Sequence, residues 1–112
     1  MKHNIFDKAF GIVLNLNQNQ QPEFINSMEA EWFQSNFHKN IYEAITNLSE
    51  EGSYIDLINL TGWLRENNRL EKDTILKVSL LQSSIDFHET LNKEGILNEC
   101  YYKYSIRNVS LM

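Results

Sequence analysis

Apolar side chains recur at three- and four-residue steps along almost the whole chain, the spacing that places them on one face of an α-helix. The first stripe, from Ile5 to Leu16, predicts a helix over about residues 5–16. A polar tract follows as a loop, and Pro22 suits the first position of a short second helix because a residue there needs no amide donor. The side chains expected to face inward from this second helix are Phe24, Ile25 and Met28.

The clearest stripe predicts a third helix over about residues 29–51, with Gly52 as its stop. Glycine adopts the left-handed conformation at a helix end at little cost, so it commonly follows the last turn. This helix supplies most of the predicted hydrophobic core. The core residues assigned to it are Phe33, Phe37, Ile41, Ile45 and Leu48.

Asp56 is a good N-cap for a fourth helix over about residues 57–68, because its carboxylate can accept hydrogen bonds from the free amides of the first turn. Leu60 and Leu64 lie on one face of this helix and complete the predicted core. Gly62 inside the helix costs about 1 kcal/mol relative to alanine. We therefore expect a neighbouring element to pack closely at Gly62.

A fifth helix is predicted over about residues 74–83, with Asp73 as its cap. Its apolar residues are spread over two faces, so the sequence leaves the buried face open. Either Ile75, Val78 and Leu81 or Leu76 and Leu80 point inward. No segment has the alternation typical of a strand, so the predicted class is all-α, and 112 residues suffice for one domain.

The last helical region, over about residues 87–111, opens at Ser84 or Asp86 and is divided or kinked at Gly95. It carries more apolar and aromatic surface than one buried stripe needs, which favours a self-association surface. Two alternatives stay open for its tyrosines. In the first alternative, two of the tyrosines pack in the core and one is exposed. In the second, the rings stack on single-stranded nucleic acid, although few basic residues are nearby. The predicted surface consists of Leu97, Tyr101 and Tyr104.

The formal net charge is −5, and the ten basic residues are scattered along the chain. A surface for duplex DNA usually concentrates Lys and Arg, so no direct nucleic-acid contact is expected. The longest uncharged run, residues 9–22, is rich in Asn and Gln and predicts no membrane span. No segment resembles a signal peptide, and with Cys100 as the single cysteine the sequence predicts a cytoplasmic protein.

No constellation of residues predicts catalysis. The nucleotide-binding pattern G-x-x-x-x-G-K-[ST] does not occur, so there is no recognisable ATPase centre. Zinc is not expected because His3, His38 and His88 are far apart and Cys100 stands alone. A Cys–His nucleophile pair is formally possible, but a lone cysteine on an amphipathic helix is more simply a small core residue. The sequence therefore predicts a non-enzyme with no catalytic residue, metal or cofactor.

The middle of the chain carries a family likeness. Residues 33–45, F-Q-S-N-F-H-K-N-I-Y-E-A-I, resemble the segment F-Y-x-x-x-H-x-x-I-[FY]-x-A-I in the N-terminal domain of DnaB-type replicative DNA helicases. Residues 52–60, G-S-Y-I-D-L-I-N-L, are similar to the family's G-x-P-I-D-x-I-T-L, with Tyr54 in place of the proline. Asp73 and Thr74 stand where the family usually has Gly-Gly. Within this match we expect His38 to be a structural histidine at the rim of the core.

The resemblance implies a compact multi-helix head, residues 1–84, followed by the first helix or helices of a C-terminal hairpin, residues 85–112, truncated if the parent chain was cut. In this family the hairpins pair across subunits, and the paired domains form a collar above the hexameric motor ring that contacts primase or a helicase loader. The ATPase activity belongs to a second domain, so a longer parent chain would be an ATP-dependent DNA helicase.

The implied function is therefore that of a non-catalytic helicase domain that self-associates and binds primase or a loader. The alternative is a stand-alone protein of a phage or mobile element that binds the replicative helicase, primase or loader. A Walker A motif downstream in the same reading frame would favour the first interpretation.

Overall fold

The chain folds into helices packed around a single core. The structure, a computed structural model, describes residues 4–110, and within that range it contains seven α-helices, two short 3₁₀ turns and no strand. The predicted all-α class is confirmed. The helices are α1 (Ile5–Asn15), α2 (Gln21–Asn26), α3 (Asn36–Glu50), α4 (Leu57–Glu66), α5 (Thr74–Ser83), α6 (Phe87–Leu91) and α7 (Lys93–Ser110), and the 3₁₀ turns are Gln18–Gln20 and Ala30–Trp32.

Helix α1 is the centre of the fold. It begins after Asn4, whose side-chain oxygen accepts a hydrogen bond from the Phe6 amide at 2.8 Å. Its residues from Ala9 to Leu14 are buried without interruption, because α2, α3, α5, α6 and α7 all contact it. A helix that is covered on every side is a core element and not an amphipathic surface helix.

Helix α3 begins at Asn36, so the predicted start near residue 29 is wrong. Ser35 takes the N-cap position, and its hydroxyl oxygen accepts a hydrogen bond from the His38 amide at 3.1 Å. A capped start of this kind satisfies one of the amides that have no partner in the first turn. Phe33 consequently lies in an extended segment before the helix, although its ring is buried.

Left-handed residues end α3 and α4. Gly52 has φ +76°, and the Ser53 amide donates to the Leu48 carbonyl at 2.9 Å, which closes the last turn of α3 as predicted. Asn68 has φ +58°, and α4 ends at Glu66, two residues earlier than predicted. Asparagine tolerates this conformation better than most side chains because its short polar group can hydrogen-bond locally.

The two predicted caps of α4 and α5 behave differently. The Asp56 carboxylate accepts a hydrogen bond from the Asn59 amide at 2.8 Å and caps α4. Asp73 makes no side-chain cap hydrogen bond, so its predicted role at α5 is wrong. The hydroxyl of Thr74, itself buried, accepts from the Glu71 amide at 2.9 Å and organises this turn instead.

Helix α5 buries Val78 and Leu81, but Ile75 is exposed. Neither predicted face is therefore complete, and Leu76 and Leu80 of the other face are exposed as well.

The last helical region consists of two helices, but they separate at Asn92 and not at Gly95. Asp86 opens the first of them by accepting from the Glu89 amide at 2.8 Å, one half of a capping box.

A glycine allows α5 to approach α1 closely. A Cβ atom on Gly11 would collide with the carbonyl oxygen of Leu81 and the side chain of Ile85. Gly62 has open space around the same position, so the close contact expected there is wrong. Apolar periodicity does not distinguish these two glycines, because close packing at either one depends on a neighbour that is distant in sequence.

Candidate protein-interaction surfaces

The predicted core residues meet in one buried cluster, with one exception. Phe37 is half-buried at the rim, where its ring lies 5.3 Å from the Lys77 ammonium and packs beside His38. It is therefore not a fully buried core residue, because the first turn of α3 projects it toward the edge. The other six lie inside the cluster: Phe33, Ile41, Ile45, Leu48, Leu60 and Leu64.

His38 joins α3 to α1 within a group of aromatic rings. Its Nε2 lies 2.6 Å from an oxygen of the Asp7 carboxylate, and the imidazole is largely buried. The rings of Phe6, Phe10 and Phe33 surround it with centroids 5.6 to 6.3 Å away. A polar ring in such a setting needs a partner, which Asp7 provides. The arrangement accounts for His38 as a structural residue.

Gln21 is a buried polar residue that the sequence assigned to a solvated loop. Its side-chain nitrogen donates to the carbonyls of Val13 and Ile55, and its oxygen accepts from the Ile55 amide. These three hydrogen bonds join the end of α1 to the segment before α4. No signal in the sequence separates Gln21 from the other amide side chains of the polar tract, because its burial depends on Val13 and Ile55.

Helix α7 contributes to the same core through its inner face. Ile96 and Cys100 are buried against α1, and the Cys100 thiol lies 3.6 Å from the Ile5 carbonyl oxygen. Burial raises the pKa of the Cys100 thiol from its ordinary value of 9.0 to about 12, with a smaller contribution from the nearby Glu99 carboxylate. A thiol with so high a pKa is a poor nucleophile, because the reactive form is the thiolate.

The three residues predicted as the self-association surface lie on α7 and are unequally exposed. Leu97 and Tyr104 are half-buried and pack against the core, whereas Tyr101 is 57% exposed. Tyr104 continues the inward stripe of Ile96 and Cys100 at the same four-residue step, and Leu97 lies beside that stripe. Tyr102, which the prediction omitted, is 67% exposed beside Tyr101.

The family model described as the DnaB-like helicase N-terminal domain matches residues 10–94, about three quarters of the chain. The chain belongs to this family. The resemblance found in residues 33–70 is thereby confirmed. No curated protein and no solved structure matches the chain.

Exposed apolar side chains of this DnaB-like domain are concentrated late in the chain. Ten large apolar residues are exposed among the described residues, and two of them, Tyr54 and Ile58, precede α5. Single exposed apolar residues are normal on a soluble protein, whereas apolar residues that form a contiguous patch mark an interaction site. The other eight are Ile75, Leu76, Leu80, Phe87, Leu91, Tyr101, Tyr102 and Ile106.

Polar contacts fix α6 and α7 on the domain. The Lys8 ammonium lies 2.9 Å from the Glu89 carboxylate, and this hydrogen bond raises the pKa of Lys8. The Arg107 guanidinium donates to the carbonyls of Glu31 and Trp32 and stacks 5.3 Å from the Tyr104 ring. The exposed tyrosines are therefore carried by a helix that is held on its inner face.

Neither a membrane span nor a metal-binding group is found in residues 4–110. None of the helices described there is long and apolar enough to cross a bilayer. The histidines, cysteine and carboxylates in that range do not come together in groups of three.

Proposed function

We propose that this domain is the non-catalytic N-terminal domain of a replicative DNA helicase, in which it self-associates and binds primase or a helicase loader. Membership of the DnaB-like family supports the first part of the proposal. The observation that carries the second part is the concentration of eight exposed large apolar residues between Ile75 and Ile106.

The self-association surface centres on the outer face of α7. Tyr101 and Tyr102 are exposed there, and aromatic side chains are enriched at the centres of protein interfaces. Ile96 and Cys100 anchor the inner face of the helix, so the tyrosines are held in place before a partner arrives. A preorganised surface loses less conformational entropy on binding. Leu97 and Tyr104 support this face from below and do not contact the partner directly.

A second partner, primase or a loader, requires a surface of its own. Helix α5 presents Leu76 and Leu80 one turn apart, and α6 presents Phe87 and Leu91 with the same spacing. No residue between Val78 and Ile85 is charged, so a partner need not desolvate a charge in that stretch. In this proposal the domain works in the cytoplasm through protein contacts, with no cofactor and no direct contact to nucleic acid.

Self-association is tested by light scattering on the purified chain at tens of micromolar. We expect a mass above that of the monomer and a return to monomer in the double variant Tyr101→Gln, Tyr102→Gln. Ile58→Gln is the matched control, because Ile58 is 77% exposed on α4 and lies outside the proposed surface. A monomeric wild type, measured also in a longer chain if the reading frame continues, would contradict self-association. An equal effect of Ile58→Gln would contradict its location.

A further inference from the structure

A groove runs between α2 and the first half of α7. It consists of two adjoining hollows of about 190 and 400 Å³, which share Ser27, Glu94 and Leu97 as walls. One end is bounded by α2 near Glu23, and the other reaches the 3₁₀ turn at Trp32.

The walls of this groove are acidic. Glu23, Glu29 and Glu94 line it, whereas Lys93 is the one cation among its lining residues in the described part of the chain. None of the three glutamates forms an ion pair with another described residue. A cleft lined by one sign of charge concentrates the field and attracts the opposite charge. A cationic partner would therefore gain from all three carboxylates.

The floor of the groove is apolar and contains an unsatisfied donor. Phe24 and Trp32 are each 3% exposed, and Leu97, which lines both hollows, is half-buried. The indole Nε1–H of Trp32 has no acceptor among residues 4–110. A buried tryptophan usually finds a hydrogen-bond partner, so this donor is an exception within the fold. A carbonyl oxygen of a bound segment would supply the missing acceptor after a small shift of the groove wall.

We infer that the groove binds a basic segment of a partner protein, with Lys or Arg side chains that flank an apolar residue seated on Leu97. The sign of the charge disfavours nucleic acid and anionic lipid. A second copy of this chain is also disfavoured as the occupant, because its ten basic residues are scattered along the sequence and form no cationic segment. The carboxylates are too widely spaced for chelation of a metal ion, as no group of three exists among the described residues. The proposed self-association surface adjoins this site, because Tyr101 also lines the second hollow.

The indole N–H groups of the two tryptophans provide a site-specific test. Trp32 lines the groove, whereas Trp63 lies on α4 beside Arg69 and serves as an internal control. A synthetic peptide of Lys, Arg and Leu is titrated into the ¹⁵N-labelled chain, and Trp63→Phe assigns the two indole signals. We expect the Trp32 signal to shift saturably while the Trp63 signal stays in place. An acidic peptide, with Glu for each Lys and Arg, should have no effect.

The contribution of the glutamates is tested with two triple variants of equal charge. Glu23→Gln, Glu29→Gln, Glu94→Gln removes the groove carboxylates, and Glu50→Gln, Glu66→Gln, Glu71→Gln removes three exposed carboxylates elsewhere. We expect the groove variant to weaken peptide binding by about tenfold and the control by less than about twofold. Equal weakening of peptide binding in the two variants would show that binding responds to net charge alone, and it would overturn the proposed site. Absence of a Trp32 shift in the wild type would overturn it as well.

Discussion

The side-chain amide of Gln21 pairs with both backbone groups of Ile55. Its Nε2 donates to the Ile55 carbonyl at 2.8 Å, and its Oε1 accepts from the Ile55 amide at 3.0 Å. The other hydrogen of Nε2 is donated to the Val13 carbonyl at 2.9 Å. One polar side chain thereby pairs with both backbone groups of Ile55 and adds a second hydrogen bond to the Val13 carbonyl, which also accepts from the Leu16 amide.

Replacement of Gln21 by alanine should lower the free energy of unfolding by about 3 kcal/mol, because the buried amide and carbonyl of Ile55 both lose their partner and the Val13 carbonyl loses one of its two donors. Urea unfolding followed by circular dichroism measures this loss. Gln18→Ala is the control, since Gln18 is exposed and makes a single side-chain hydrogen bond, to the Gly52 carbonyl. Its cost should stay below about 1 kcal/mol, and similar losses in both variants would contradict a special role for Gln21.

The two helical glycines should respond in opposite directions to alanine. Gly11→Ala should destabilise the fold by about 2 kcal/mol, because the added methyl group forces α5 away from α1. Gly62→Ala should stabilise it by up to about 1 kcal/mol, since alanine favours a helix interior and has free space there. Thermal unfolding of both variants tests the pair. A stable Gly11→Ala protein would show that α1 and α5 can separate without loss.

The caps at Asp56 and Asp73 offer a second matched pair. Asp56→Ala should cost about 1 kcal/mol, because the Asn59 amide loses its acceptor. Asp73→Ala should change stability by less than about 0.5 kcal/mol, since its side chain makes no cap hydrogen bond. The losses of stability in the two variants are compared from the midpoints of their denaturant unfolding curves, provided that the m-values are equal. Equal costs would contradict the assigned difference between the two turns.

Cys100 should make stability depend on alkaline pH. Its pKa is raised to about 12 in the folded chain, from an ordinary value of 9.0 that applies to the unfolded chain. Above pH 9 the unfolded state loses the thiol proton while the folded state keeps it, so stability falls as pH rises toward 12. The slope should be about 1 kcal/mol per pH unit, and no effect of this thiol is expected below pH 9.

The difference between wild type and Cys100→Ala isolates this effect from the lysines and tyrosines that titrate in the same range. Unfolding is measured at several pH values from 9 upward in both proteins. Parallel slopes would contradict the burial of the thiol. Slow alkylation of Cys100 in the native state provides an independent measurement, because the thiolate is the reactive form.

Periodicity located most elements because the apolar spacing of a helix is a local property. The stripe through Ile41, Ile45 and Leu48 predicts α3, and Gly52 predicts its end, since both follow from backbone geometry within one segment. The start of α3 was placed too early because the apolar pattern continues through Phe33, which the core buries without a helix. The predicted boundary between head and hairpin at residues 84 and 85 stays a prediction.

Features that join distant segments could not be predicted in this way. The sequence does not distinguish Gly11 from Gly62, or Gln21 from its exposed neighbours, because burial of each depends on which helix packs against it. For α5 the apolar residues occupy two faces, and the contact with α1 selects Val78 and Leu81. The candidate groove likewise brings α2 and α7 together from opposite ends of the chain.

The sequence by itself determined the helical class, the main core residues, the family and the absence of a nucleotide-binding motif, because these depend on spacing and residue type along the chain. Tertiary structure decided which tyrosines of α7 face solvent, which polar groups are buried and where acidic side chains converge. The physical reason is that hydrophobic burial is collective. Each helix has several apolar faces that it could bury, and the choice is made by the other helices of the fold.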